Sequence, residues 1–426
     1  MKLKKILAII LTVIMVATLV LGCSKKSEDK SADSGDKAAD AGDKKADDKK
    51  ADDKKADDKD ADDKAAPAGD VTIKIAHLVP LSGGSASDGE YVANSAQMAA
   101  DEINDAGGVK LPDGTMALIE YTQVDETSNS AQAIDAAEKA ISLDPLVMIG
   151  PNRSGGVLAA EQLWKEAKIP TITDGTNPDT TRQGNEYTFR MQISSDFWIP
   201  LLITTAVEKY DVKRPTVAYA LTDYSKPNWE ATEAKFKEYG IDIASVQTFN
   251  EGDQDFSAQL LEIKNADPDA IFVYGYPGEV GKIIQQRVEL GMADVPIFSD
   301  RVAGNPALVE LAGGPENFEG TVTSTTFCTG DPANADFVEK YKARFGKDLS
   351  GSHLNHYDSI YIIADIVSRV GLDREKVREE LANLDYEGTL GHYQADAEGN
   401  LVHHMHTQLY KDGNWELLMT EEYPVE

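Results

Sequence analysis

The sequence predicts an α/β fold built as two doubly wound parallel-sheet lobes joined by a multi-crossover hinge. Three observations carry this prediction. Strand-like and helical periods alternate from residue 71 onward. The alternation pauses and restarts near residue 215 as a second unit of the same kind. The elements after residue 320 are too few for a third domain, so they complete the first two.

The first unit opens with a β-branched run over 71–79. A helical period follows over 91–106 and stops at Gly107-Gly108. Residues 116–124 read as a strand, 131–143 as a helix ending before Pro145, and 146–149 as a short apolar strand. Residues 157–168 are helical, and Ile169-Pro170-Thr171-Ile172 is the next strand. This βαβαβαβ order argues for a parallel sheet with helices on both faces. The second unit repeats it, with strands at 215–221, 243–249, 270–274 and 295–299 and helices at 227–239, 256–266 and 279–290. Residues 335–345 and 354–370 read as helices, and 386–419 holds two or three strands with turns at Glu398-Gly399-Asn400 and Asp412-Gly413-Asn414. The expected division is lobe 1 over 71–193, lobe 2 over 194–325, and returns to both over 326–426. In such sheets ligands bind at the carboxyl ends of the strands. Two such edges facing each other make a cleft that closes by a hinge motion.

Charge narrows the partners. The 426 residues carry 42 Lys+Arg against 73 Asp+Glu, a formal charge of −31. Residues 71–426 account for −30 of it, so the acidity belongs to the predicted fold. A surface this acidic is poorly suited to a nucleic-acid backbone or to anionic lipid. Cys23 and Cys328 are the only cysteines, which leaves no thiol pair for a metal or redox site.

The first 22 residues read as an export signal. Lys2, Lys4 and Lys5 precede an apolar run over 6–21, too short for the roughly 20 residues of a spanning helix. Leu21-Gly22-Cys23 resembles the lipobox of bacterial lipoproteins, which implies lipidation at Cys23 and an extracytoplasmic, membrane-anchored protein. From 23 to 70 the chain is a Lys/Asp/Ala segment, with Lys44-Lys45-Ala46-Asp47-Asp48 repeated at period five. It lacks the apolar side chains needed to offset the entropy of ordering, so it reads as a disordered tether. As a coil it would reach roughly 40 Å.

Several segments together resemble the leucine/isoleucine/valine-binding proteins. They are Ile73-Lys74-Ile75-Ala76 with Pro80-Leu81-Ser82-Gly83; Ala99-Ala100-Asp101-Glu102-Ile103-Asn104 before Gly107-Gly108; Asp125-Glu126; Ile149-Gly150 with Ser154; Thr176-Asn177-Pro178; Tyr187-Thr188-Phe189-Arg190; Asp255-Phe256-Ser257; and Gly275-Tyr276. The resemblance covers roughly 71–419. It implies a type I periplasmic-binding-protein fold, no enzymatic activity, no cofactor and no metal. It also implies an amino acid or related small carboxylate captured for an ABC permease. A ligand sensor on the same fold, or a receptor for dicarboxylates or aromatic acids, is the alternative.

The candidate ligand-binding residues follow. Ser154 and Thr176 match the family residues that bond the ligand carboxylate, and Ser82 lies on the matching first loop. Physical reasoning reaches the same place, because Asn152-Arg153-Ser154-Gly155-Gly156 joins a strand to a helix whose N-terminus suits an anion. Tyr224 and Tyr276 match family tyrosines and supply an aromatic wall. Two departures leave the ligand open. Asp88 stands where the family usually has tyrosine, and Arg301 where it usually has the carboxylate that binds the ligand ammonium. If Asp300, one residue earlier, faces the cleft, the ammonium partner survives; if Arg301 faces it, with Arg153, a second anion is favoured. In the second case Asp88 could compensate as a relocated ammonium partner.

Other signals are weaker. His404 and His406 share a strand face without a third ligand, and His353 and His356 sit three apart at a helix start. Trp198 is a further cleft candidate. No nucleophile elbow, phosphate loop or dinucleotide fingerprint occurs.

Overall fold

A computed structural model describes residues 71–423. The export signal, Cys23 and the Lys/Asp/Ala tether lie outside the described residues.

In lobe 1, β1 (Val71–Val79) leads to α1 (Ala86–Asp105), the short β2 (Val109–Lys110) and β3 (Met116–Asp125). Then come α2 (Gln132–Ser142), β4 (Val147–Ile149), α3 (Ser154–Ala167), β5 (Thr171–Thr173) and β6 (Thr188–Arg190). The six strands lie in the order β2-β3-β1-β4-β5-β6, parallel except for the β2 edge. Alternate residues of β1 feed opposite faces. Ile73 and Ile75 pack with α1, while Ala76 and Leu78 pack with α2 and α3. Both faces are therefore covered, and the strand reads as a near-continuous apolar run.

The chain crosses after Arg190 into α4 (Ser195–Tyr210), β7 (Pro215–Ala220), α5 (Ser225–Glu238), β8 (Ser245–Phe249) and α6 (Ser257–Asn265). β9 (Ala270–Tyr274), α7 (Pro277–Glu289), β10 (Ile297–Ser299), two short helices α8 (Ala307–Leu311) and α9 (Pro315–Phe318), and β11 (Val322–Thr325) follow. Here too the strands serve two cores. Ala270, Phe272 and Tyr274 of β9 pack with α4, and Ile271 and Val273 pack with α7.

The helix α4 carries no amphipathic signal in the sequence. Leu201, Leu202 and Ile203 are all buried, because the helix lies between α5 and the strands at the sheet's other face. Pro200 sits inside it, and a helix-interior proline ordinarily reads as a break.

The chain then returns to lobe 1 with α10 (Ala335–Phe345), α11 (Asn355–Val370) and α12 (Arg374–Ala382). A small antiparallel sheet follows, made of β12 (Asp385–Gly388), β13 (Gly391–Ala395) and β14 (Leu401–Val402). The last crossing, at His403-His404, feeds β15 (Met405–Lys411) and β16 (Asn414–Glu421) to the second sheet. That sheet runs β16-β15-β11-β10-β9-β7-β8. The region expected to hold two or three strands thus holds five, split between two sheets. The split is hidden in the sequence because β14 is only two residues long and the crossing carries no glycine or proline.

Buried Arg190 ties the crossovers together. Its guanidinium donates to Asn400 Oδ1 at 2.8 Å and to the Asn177 carbonyl at 2.8 Å. Trp198 belongs to the core of lobe 2 and does not line the cleft. Cys328 is buried.

Candidate ligand-binding cleft

The loops that follow β1, β4 and β5 in lobe 1 face the loops that follow β7, β8, β9 and β10 in lobe 2. All seven leave carboxyl strand ends, where backbone amides and helix N-termini are free to meet a ligand. The two sets touch. Asn305 donates to Asp88 Oδ1 at 2.6 Å, Asn177 donates to the Asp223 carbonyl at 2.7 Å, Arg153 pairs with Glu251 at 2.5 Å, and Arg301 pairs with Asp174 at 3.3 Å.

On the lobe 1 side, β4 ends at Gly150, whose φ of +82° favours glycine; a Cβ there would meet the Leu78 carbonyl oxygen at 2.2 Å. The chain then turns into α3 with Arg153 as N-cap and no side chain capping the first turn. Ser154 is therefore the first helical residue rather than a cap. Its Oγ accepts from the Asn177 N–H at 3.2 Å, leaving its own proton free to donate. Gly155 allows a close approach to the second lobe, since a Cβ would lie 3.1 Å from Asp223 Oδ2. Thr176 is fully buried, and its hydroxyl has no partner among the described residues. Ser82 lies elsewhere. It is exposed and donates to Asp125 at 2.8 Å.

The lobe 2 wall is aromatic. Tyr224 and Tyr276 stack with ring centroids 5.3 Å apart, and the Arg153 guanidinium crosses from lobe 1 to lie 3.9 Å over the Tyr276 ring. The Tyr224 hydroxyl sits near the Asp300 carboxylate without a well-formed hydrogen bond to it.

Asp300 and Arg301 separate clearly. Asp300 turns into lobe 2, where it accepts from Asn228 at 2.5 Å and from the Val302 N–H at 3.1 Å. Arg301 reaches across the cleft. Its Nη2 pairs with Asp174, and its Nη1 donates to His353 Nε2 at 3.0 Å. A guanidinium can only donate, so His353 Nε2 accepts and the ring proton sits on Nδ1, toward Ser350 Oγ at 2.7 Å. Burial, reinforced by Arg301, holds His353 well below the ordinary imidazole range.

Asp174 is the junction of this network. Asn152 and Asn355 each donate to it at 2.7 Å, and His356 lies 3.4 Å away. Burial is the largest single influence and works to raise its carboxyl, but Arg301, His356 and His353 together outweigh it and hold it down at about 2. Asp88 and Asp300 are pushed the other way by burial, both to about 6, with Arg301 opposing the rise. Glu126, beneath the α3 N-terminus, is raised by burial to about 8. Asp88 Oδ1 faces Asn305 and, at 3.5 Å, His353; its Oδ2 takes no hydrogen bond among the described residues.

The structure thus gathers Ser154, Thr176, Arg153, Tyr224, Tyr276, Asp88, Asp300 and Arg301 about one cleft. It adds Asp174, Glu126, Asn228, Asn305, His353 and His356. The pair His353 and His356 carried a visible spacing signal, but the chemistry around them is an ion-pair network. Among the described residues no group of three or more His, Cys, Asp or Glu is placed to hold a metal ion. The other additions had no signal, because single carboxylates and amides are too common in this chain to stand out.

Two α/β lobes that face each other across a polar cleft, with the chain passing between them repeatedly, define a two-lobed binding protein. The chain belongs to the Periplasmic binding protein family, whose model matches residues 72–413. It is 27% identical over 334 residues to a leucine-, isoleucine-, valine-, threonine- and alanine-binding protein of Pseudomonas aeruginosa, covering 78% of this chain and 87% of that one. A branched-chain amino acid transporter substrate binding protein from Streptococcus pneumoniae, solved with isoleucine, is 28% identical with a TM-score of 0.73, over 83% of this chain and 99% of that one. A solute binding protein from R. palustris solved with benzoate has a TM-score of 0.72 at 21% identity, over 82% and 96%, and shares the fold. No described helix is long and apolar enough to cross a membrane.

Proposed function

We propose that this chain is the solute receptor of an ABC importer and that it captures a small α-amino acid, as the zwitterion, by closing its lobes. The charge arrangement around Arg301 carries the reading. That guanidinium occupies the place expected of an ammonium-binding carboxylate, but Asp88, Asp174 and Asp300 all act on it and Asp174 pairs with it directly. One cation among three carboxylates gives a net negative region that opposes a second anion. Asp88, with its unpartnered Oδ2, suits the ammonium group. Ser154, Thr176 and the uncapped turn of α3 suit the carboxylate. Asn152, in the same turn, bonds Asp174. The acidic cluster and the helix end therefore adjoin, as the two charged groups of an α-amino acid do. The amino-acid relatives agree with this reading.

A second reading, an aromatic or dicarboxylic acid, draws on Arg153, whose Nε and Nη1 are buried without partners. Calorimetry with amino acids and their des-amino analogues separates the two. The expected result is binding of amino acids only, with the preference erased in Asp88→Asn; tighter binding of des-amino acids refutes the zwitterion. Loss of uptake on deletion distinguishes transport from sensing on the same fold. Attachment through a lipid on Cys23 is part of the proposal, and fatty-acid labelling that persists in Cys23→Ser refutes it.

A further inference from the structure

Around Arg301 the cleft holds buried polar atoms that no described residue satisfies. They are Arg301 Nε, Asn228 Oδ1, Tyr224 OH, Thr176 Oγ1 and His356 Nδ1, while His356 Nε2 has only Asp174, at 3.4 Å. None of these residues is more than 4% exposed. They connect through two aspartates. Asn228 and Tyr224 sit against Asp300, while Arg301 and His356 flank Asp174 at 3.3 and 3.4 Å. The set is mixed in kind. Arg301 Nε only donates, Asn228 Oδ1 only accepts, and the hydroxyls and imidazole do either.

Thr176 has a role in the zwitterion reading, and the other atoms are surplus to it. An aliphatic side chain in this space would leave them unsatisfied in a closed, dry cleft. A carboxylate would face Asp88, Asp174 and Asp300. A cationic side chain would face the Arg301 guanidinium. Amides and hydroxyls offer both a donor and an acceptor and, unlike an imidazole, stay uncharged across the ordinary pH range. Resting on the amino-acid reading above, we infer that the ligand carries an uncharged hydrogen-bonding side chain, an amide or a hydroxyl. The branched aliphatic side chain of the isoleucine bound by the Streptococcus pneumoniae protein would not satisfy these atoms.

Isothermal titration of the purified chain with near-isosteric pairs tests this: threonine against valine, asparagine against leucine, and glutamate as the acidic probe. The expected result is that at least one amide or hydroxyl amino acid binds about a hundredfold or more tighter than its apolar counterpart and than glutamate. In Tyr224→Phe, which removes only the hydroxyl, the gap should narrow by about tenfold. Valine or leucine binding within tenfold of the polar partner overturns the inference, as does a preference for glutamate or a panel in which no amide or hydroxyl amino acid binds. If only des-amino acids bind, the zwitterion reading fails. If aliphatic amino acids bind best, that reading stands and only the side-chain inference fails.

Discussion

Replacing Asp174 by Asn removes the charge at the centre of the inter-lobe network while keeping the side chain's shape. Asp174 is 1% exposed and its partner Arg301 4% exposed, so solvent screens neither. The carboxyl is held at about 2 against an ordinary 3.8. That difference corresponds to roughly 2.5 kcal/mol of stabilisation of the charged form. A buried guanidinium left without its partner adds to the loss, and breaking such pairs costs about 3–5 kcal/mol. Urea unfolding of Asp174→Asn should therefore show a loss of about 3 kcal/mol. Arg301→Met should lose a similar amount, and the double variant should lose much less than the sum. A coupling energy below about 0.5 kcal/mol in this cycle would refute the ion pair as a lock between the lobes. The pH dependence has a fixed sign. The folded carboxyl is depressed, so its contribution is present above pH 4 and disappears as pH falls toward 2.

Asp88 and Asp300 act in the opposite sense. Burial raises both to about 6, so the folded state binds more protons than the unfolded chain between about pH 4 and 6. Their contribution is full below pH 4 and is lost as pH rises through 6. Buried histidines such as His353 act oppositely but equally in the parent and in Asp88→Asn, so the stability of the parent relative to that variant should rise from pH 7 to pH 5 in melts of the unliganded chain. An ammonium arriving beside Asp88 should expel protons near pH 6, read by calorimetry in buffers of different ionisation enthalpy; heats independent of the buffer would contradict the assignment. Glu126, raised by burial to about 8, is already neutral at pH 7, so Glu126→Gln should change stability by less than about 1 kcal/mol in urea unfolding. Trp164 is fully buried with its indole N–H on Thr188 at 2.8 Å, and Trp164→Ala should cost about 3–5 kcal/mol in the same assay.

The elements that the sequence marks well are those whose environment is one-sided or uniformly buried. β9 runs over Ala270–Tyr274 as its unbroken apolar run implies, and α10 over Ala335–Phe345 as its spacing implies. α4 fails to show because it is covered on more than one side, so its apolar residues have no preferred face. Among the site residues, Ser154, Thr176 and Tyr276 are legible because each follows a recognisable strand and begins a recognisable helix or turn. Asp174 is not legible. It is one of 73 acidic residues, and its importance arises from Asn152, Arg301, Asn355 and His356, which come from three separate stretches of the chain.

By itself, then, the sequence determined the alternation of strands and helices, the doubling of the unit and the loops that form the cleft. Those features depend on local periodicity and on the geometry of strand ends. The tertiary structure alone decided which way Asp300 and Arg301 point. Adjacent residues in a turn project in different directions, and only packing selects between them. Asp300 is drawn into lobe 2 by Asn228 and Val302, and Arg301 is drawn across the cleft by Asp174. A positive charge that looked like an anion site in the linear sequence is thereby already neutralised by a carboxylate from the facing lobe.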